Sequence, residues 1–335
     1  MFRLAALVPL VACTTSPSMP PTAVATGELG DWQPGPPLPT PRANHCSAAI
    51  DDWILVIGGN HQSGSDFVKT DEIHAAQLAP DGTLGPWQLA GHTPSPVSEC
   101  TATSDGRRLY LIDGLYDTAS DNGHVFTADL DATGHLGTLT TMTTLPAGTV
   151  AISSEATVAD GNLVVAHSAL DADTTGALTT PLTSPTWTTD DWAIKFRAQA
   201  QYAFTATHAY TLGGYHDPSA VLTDVYVAPL SPSRGPATAT TALPAPTGFG
   251  EAVAVDDYLF LVGGRAQVFG GSPTIATYSA HIAADGTVEA WQTTAALPMP
   301  RTNHDLARVG DFLVLTGGAD TGGGDATVLV SRVRE

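Results

Sequence analysis

The chain has 335 residues and a formal net charge of −20, with 13 Lys and Arg against 33 Asp and Glu. So few cations, none of them clustered, exclude recognition of nucleic acid or anionic lipid through phosphate groups, and the acidic surface reads as a solubility device. Gly and Pro are abundant while Thr, Val, Ala and Leu fill the runs between them, which predicts many short strands with tight turns and no amphipathic helix.

The first residues, MFRLAALVPLVACTTSPS, set Arg3 before an apolar run from Leu4 to Val11 that is too short to span a bilayer. This reads as an export signal. Leu10-Val11-Ala12-Cys13 resembles the bacterial lipobox, in which cleavage before the Cys leaves its amine and thiol to be acylated. The resemblance implies a lipoprotein signal peptide over residues 1–12, lipidation at Cys13, and a protein held in the bacterial cell envelope, at the outer membrane, on its periplasmic or surface side. Several acyl chains are needed for durable anchoring, because one alone holds only marginally. Residues 13–25, rich in Thr, Ser and Pro, read as a flexible tether, and 26–335 as the folded domain.

From Thr26 on, the chain repeats itself. The passage LPTPRANHCSAAIDDWILVIGG from Leu38 and the passage LPMPRTNHDLARVGDFLVLTGG from Leu297 lie 259 positions apart and agree at ten of 22 sites. Between them a hydrophobic run followed by Gly recurs, ending at Gly59, Gly114, Gly214, Gly264 and Gly318. The interval from Gly114 to Gly214 is a double one, and NLVVAHS (162–168) fills its middle with the glycines replaced. That makes six units. Trp32, Trp87, Trp187 and Trp291, with Leu139 in the same phase, mark the end of a fourth strand in each unit. Each unit therefore predicts four antiparallel strands, and a small sheet of that kind buries both faces only by stacking against its neighbours around an axis.

The Gly-Gly after a hydrophobic strand, the aromatic ahead of it (Tyr110, Tyr210, Tyr258) and the later Trp resemble the kelch repeat, over nearly all of residues 26–335. The resemblance implies an all-β, six-bladed kelch-type β-propeller. Unit six ends after a third strand, TVLVSRV, while ATGELGDW is a fourth strand with no blade before it. The N-terminal strand is therefore expected to complete the last blade and close the ring. Unit three lacks the glycines, a clear third strand and a well-placed Trp, so that blade is expected to be degenerate, with Thr183 to Ile194 an irregular crossover. Cys46 and Cys100 fall on inner strands of adjacent blades. The oxidising envelope would let a bond persist, but the two positions are one residue out of phase, and strand alternation opposes pairing, so the disulfide stays open at this stage.

Aligning the units on Gly-Gly superimposes Arg42, Arg197 and Arg301, and two positions on Asn44, Glu99, Gln199 and Asn303. His45 and His304 follow, with Glu155 and Glu251 within about a residue of them. If these face the channel mouth, Arg forks suit carboxylates or other planar anions, and a buried Glu can act as general base. Alternatively Pro-Arg-x-Asn-His belongs to the repeat itself and satisfies loop carbonyls between blades. No metal site is expected, since two equivalent His without a third ligand are usually structural. DLDATG and DADTTG read as hairpin turns, not calcium loops. No cofactor is expected.

The leading functional reading is a monomeric, non-enzymatic binding scaffold for a protein or glycan, touching the membrane only through its lipid, with recognition on the unequal loops 60–70, 115–123 and 265–273. The second is an enzyme similar to the bacterial six-bladed sialic acid mutarotases. It would use Arg42, Arg197 and Arg301 with Glu99, Glu155 or Glu251 on an acidic sugar.

Overall fold

The structure is a computed structural model that describes residues 26–64, 66–114, 123–146, 149, 154–169, 173–231, 233–320 and 323–334. Cys13 and the tether, and the part of the second recognition loop at 115–122, lie outside the described residues. The strands follow the repeat. A short β1 (Gln33–Pro34) precedes blade one, which comprises β2 (Cys46–Ile50), β3 (Trp53–Ile57), β4 (Asn60–Ser63), β5 (Asp66–Gln77) and β6 (Gln88–Val97). Blade two holds β7 (Thr101–Ser104), β8 (Arg108–Ile112), β9 (His124–Asp129) and β10 (Thr140–Thr144). Blade three holds β11 (Glu155–Ala159), β12 (Asn162–Ala169), β13 (Thr174–Pro181) and β14 (Thr188–Lys195). Blade four holds β15 (Gln201–Phe204), β16 (His208–Leu212), β17 (Val225–Pro229) and β18 (Thr238–Ala239). Blade five holds β19 (Glu251–Val255), β20 (Tyr258–Val262), β21 (Thr277–His281) and β22 (Gln292–Thr293). Blade six holds β23 (Asp305–Val309), β24 (Phe312–Thr316) and β25 (Val328–Arg332), with β1 as its outer strand. All pairings are antiparallel, and the protein is an all-β, six-bladed β-propeller.

Closure occurs through the leading segment as expected, but the outer strands begin just after the phased Trp residues and not before them, at Gln33, Gln88, Thr188 and Gln292. Gln33 pairs with Val330 and Leu29 with Val333, and the Arg334 amide donates to the Glu28 carbonyl at 2.8 Å. Without the leading segment β25 would present an unpaired edge.

The second strand of each blade is mostly apolar through its middle because both faces of the blade are covered, with polar residues mainly at its ends. In β3, Leu55 and Ile57 pack toward blade two, while Ile54 and Val56 pack toward blade six. The same division recurs around the ring, giving six apolar clusters that each straddle one seam. The hydrophobic core is thus six interfaces between sheets and not one centre. At roughly 25 cal/mol per Å² of buried apolar surface, these seams supply most of the driving force for folding.

Each phased Trp latches its seam. The indole N–H groups of Trp32, Trp87, Trp187 and Trp291 donate to carbonyls on or beside the outer strand of the preceding blade: Ala295 (3.0 Å), Pro36 (2.9 Å), Thr144 (2.7 Å) and Thr241 (3.1 Å). Leu139 packs by hydrophobic contact alone at the equivalent place.

Two expectations change. Blade three is irregular in sequence but complete in structure. In place of the Gly-Gly turn, β12 runs on and pairs with β13 over eight residues, so a clear third strand is present. Thr183 to Ile194 is not an irregular crossover, because most of it is β14, paired with β13 across a bulge between Thr175 and Gly176. Trp192, only 1% exposed, fills the seam to blade four. Cys46 and Cys100 form a disulfide, with Cα atoms 5.4 Å apart. The alternation argument fails because Cys100 precedes β7 and follows Glu99, whose φ of 53° turns the chain before the strand begins.

Candidate functional site

The turn leading into each inner strand carries most of the candidate residues, and the structure sorts them into two sets. One set holds the blades together. Arg42 and Arg301 are fully buried and Arg197 nearly so. Each guanidinium points into its own blade: Arg42 donates to the Gly58 carbonyl at 3.0 Å and meets Glu72 at 3.4 Å. Arg197 donates to the Gly213 carbonyl at 3.0 Å and pairs with Asp224 at 2.9 Å. Arg301 pairs with Asp325 at 2.9 Å. None of the three lines the axial cavities.

His45 and His304 join the two sets: they pack against the neighbouring blade and also border the inner axial cavity. A Cβ on Gly317 of blade six would lie 2.5 Å from the Arg42 carbonyl oxygen and 2.7 Å from His45 Cε1. On Gly263 of blade five, it would lie 2.7 Å from the Arg301 carbonyl oxygen and 2.8 Å from His304 Cε1. The glycine pair is therefore required by the backbone and His ring of the next blade, in a left-handed conformation that costs a side chain dearly. Burial, and the guanidinium on the same turn, push both His pKa values down to about 3, so the rings are neutral. The His45 Nε2 lies 2.8 Å from Thr316 Oγ1 of blade six.

The second set faces the axis. Strand register puts Cys46, Thr101, Glu155, Gln201, Glu251 and Asp305 at one level, each the first residue of an inner strand. Glu155 and Glu251 thus correspond to Asp305, one residue beyond the His level. Blades three to six present Glu, Gln, Glu and Asp in succession. These four side chains, with Glu99, Cys100, Tyr202 and the amides of Asn44, Gln199 and Asn303, line an inner cavity of about 80 Å³. Glu155, Glu251, Asp305 and Tyr202 also border a second axial cavity of about 240 Å³ beneath it, so they form the waist of the channel.

Above the waist the backbone itself is unusual. Asn44, Glu99, Gln199, Phe249 and Asn303 occupy the same position in five blades, and all have φ between 52° and 63°. In that conformation four of the N–H groups reach the preceding blade: Phe249 donates to Gln199 O, Asn303 to Phe249 O, Asn44 to Asn303 O and Glu99 to Asn44 O. This chain of inter-blade bonds, 2.7 to 3.2 Å long, fixes the mouth. Left-handed non-glycine residues held in a repeated arc are strain that the seams sustain, of the kind found at binding sites.

Electrostatically the waist is crowded with acid. Desolvation raises the Glu155 and Glu251 carboxyls well above their ordinary range, with the Asp305 charge adding to each. Burial pushes Asp305 up to about 6, opposed by hydrogen bonds from the Ser47 hydroxyl (2.8 Å) and amide (2.9 Å). Burial also raises Glu99, against the pull of Lys69. Among the described residues, no group of three or more His, Cys, Asp or Glu side chains is arranged to hold a metal ion.

A wider cavity of about 760 Å³ opens on the mouth, between loops of blades one, five and six. Asn44 and Asn303, joined by a 2.6 Å hydrogen bond from Asn303 Nδ2 to Asn44 Oδ1, belong to both this cavity and the inner one. Its other walls include Asn60, Arg265, Thr302 and Asp320, with Phe67 on the rim at 67% exposure. The Arg265 guanidinium lies 3.8 Å over the Phe249 ring, which stacks in turn on Tyr215, and makes no ion pair among the described residues. Of the expected recognition loops, 60–70 is built on the β4–β5 hairpin and 265–273 forms one wall of this cavity.

Asp305 and Gln201 were not among the candidates, whereas Arg265 and Phe67 lie within the expected recognition loops 265–273 and 60–70 without being singled out there. The first two had a legible signal, since counting from the start of each inner strand, and not from Gly-Gly, aligns them with Glu155 and Glu251. Arg265 follows its Gly-Gly pair as Asn60, Tyr215 and Ala319 follow theirs, but it is the one cation at that position, and Phe67 lies in an unequal loop.

No family model matches the chain, and no curated protein does. Among solved structures, the one titled "Structure of YjhT" superposes with a TM-score of 0.67 at 14% identity, over 88% of this chain and 96% of that one. That likeness concerns the fold.

Proposed function

We propose that this chain is a kelch-type propeller, anchored in the bacterial cell envelope through an acylated Cys13, that binds a glycan on its mouth face. The observation that carries the reading is the 760 Å³ cavity. It combines amides that can donate and accept together, a guanidinium without an ion pair among the described residues, and an exposed Phe on the rim. Amides match the paired hydroxyls of a sugar, and an aromatic face takes its C–H surface. The concavity favours a small ligand over a protein, whose stable docking would cover about 800 Å² of flatter surface per partner. A left-handed, hydrogen-bonded backbone holds Asn44 and Asn303 in place before any ligand arrives, which lowers the ordering cost of binding.

The second reading, an enzyme acting on an acidic sugar, loses the residues proposed for its clamp, because Arg42, Arg197 and Arg301 are occupied within their own blades. The raised carboxyls at the waist are what still favours it, since a carboxyl titrating near 6 suits general acid–base work. A glycan array probed with the full chain tests the binding reading. Binding should appear and should fall at least tenfold in Asn303→Ala and in Arg265→Ala. Retention of full affinity in both variants would remove the cavity from consideration, and turnover of a bound sugar by wild type that is lost in Glu251→Gln would favour the enzyme.

A further inference from the structure

The inner cavity differs in chemistry from the outer one that feeds it. Its lining contains Glu99, Glu155, Glu251 and Asp305, and neither Lys nor Arg. It also contains an acceptor with nothing to accept from. Gln201 is 2% exposed, its Nε2 donates to the Gln199 carbonyl at 2.8 Å, and its Oε1 is buried without a hydrogen-bond partner among the described residues. The Nε2 bond fixes the amide, so the oxygen and not the nitrogen is the unsatisfied end. Glu251 likewise receives no hydrogen bond among the described residues, although Glu155 takes the Ala156 amide and Asp305 takes Ser47.

An orphaned buried acceptor forfeits the hydrogen bonds it made to water, and converging carboxyls add repulsion to desolvation. Both costs vanish if a cation rich in N–H donors enters. The waist offers acceptors from blades three, four, five and six at one level, an arc that suits a group with several divergent donors. The residues do not form a metal-ligand set, whereas an ammonium needs only acceptors within hydrogen-bond reach and tolerates mixed amide and carboxylate oxygens. At about 80 Å³ the cavity admits a head group and a few waters but not a sugar ring.

We propose that the inner cavity is a binding site for a primary ammonium group, held by Glu155, Glu251, Asp305 and Gln201 Oε1. The inference rests on the glycan reading only for the rest of the ligand. With a saccharide seated in the outer cavity, the shared amides of Asn44 and Asn303 mark where an amine would pass inward, and the preferred ligand is an amino sugar with a free amine.

Calorimetric titration of the full chain at matched ionic strength tests this. The probes are D-glucosamine, N-acetyl-D-glucosamine, n-butylammonium and tetramethylammonium. Glucosamine should bind at least tenfold more tightly than its acetylated form, and butylammonium should bind where tetramethylammonium, which has no N–H, does not. Glu155→Gln combined with Glu251→Gln should abolish the preference, and Gln201→Leu should weaken amine binding several-fold. Because the Glu changes remove charge, the double variant should melt no lower than wild type, whereas Gln201→Leu also deletes the Nε2 bond to the Gln199 carbonyl and is read on amine affinity alone. Equal binding of glucosamine and its acetylated form, with no binding of butylammonium, would overturn the proposal and leave the glycan reading intact. Butylammonium binding without either sugar would support the amine site while the glycan reading fails. Binding of Ca²⁺ or Mg²⁺ at the waist, with no competition from butylammonium, would also overturn it.

Discussion

The His level and the carboxyl level of the channel lie one residue apart on the same turns, yet they behave as opposites. His45 and His304 are buried, neutral, and packed against the glycines of the neighbouring blade. Glu155, Glu251 and Asp305 face the axis, where burial first and then the Asp305 charge raise the cost of ionising both glutamates, with Glu155 adding to that of Glu251. The difference follows from direction: a side chain aimed at a seam meets the same backbone in every blade and becomes part of the repeat. One aimed at the axis meets only its counterparts, and there blades can diverge. Residues that recur mark architecture here, and residues that vary at a recurring position mark the site.

Substitutions on the seam side should have the largest effects. Arg301→Ala strips a fully buried guanidinium from Asp325, and Arg42→Ala leaves the Gly58 carbonyl without its donor. Each should cost about 3 kcal/mol in urea denaturation while leaving ligand affinity of the folded protein unchanged. A selective loss of affinity at full stability would reverse the assignment of the Arg set to architecture.

Gly317→Ala should be nearly as damaging, at about 2–3 kcal/mol, since the new methyl meets the Arg42 carbonyl in a left-handed backbone. An unchanged melting temperature would mean the seam can shift. Replacing Cys46 and Cys100 by Ala releases a cross-link 54 residues long between blades one and two, with an expected loss of about 2–4 kcal/mol. Because Cys100 borders the inner cavity, amine binding should weaken as well. Trp291→Phe, which deletes one latch to Thr241, should cost about 1 kcal/mol.

The smallest effect is the sharpest on the comparison, because the two levels respond to pH with opposite sign. The His pKa values fall from about 6.5 unfolded to about 3 folded, so the unfolded chain binds more protons in that window and these residues lose stability as pH falls. Asp305 rises from about 4 unfolded to about 6, so the folded chain binds more protons and stability is lost as pH climbs through that range. The groups facing this waist are Glu99, Glu155, Glu251 and Tyr202, with His45 and His304 above and Arg308, paired to Asp256 at 3.1 Å, below. Chemical denaturation between pH 4 and 8 should show Glu155→Gln with Glu251→Gln gaining stability over wild type as pH rises. Parallel profiles would mean that these carboxyls ionise freely and that the waist is wetter than its geometry implies.

By itself, the sequence determined the architecture. Hydrophobic runs ending in Gly-Gly at near-even intervals demand stacked sheets, and a fourth strand without a blade at one end demands ring closure at the other. Both are one-dimensional signals because each blade repeats one local pattern. The sequence also carried the two sides of the Pro-Arg-x-Asn-His motif as alternatives, but aligning on the glycines put the carboxyls near the His level. Tertiary structure alone decided which way each side chain faces. A single left-handed residue before the inner strand of five blades resets the alternation, so that Cys100 meets Cys46 and Glu251 shares a level with Asp305 and not with His304. The outer cavity was partly in view, because the unequal loops 60–70 and 265–273 marked its walls, but only ring closure decided that Asn60, Phe67 and Arg265 converge with Asn44 and Asn303 on one space.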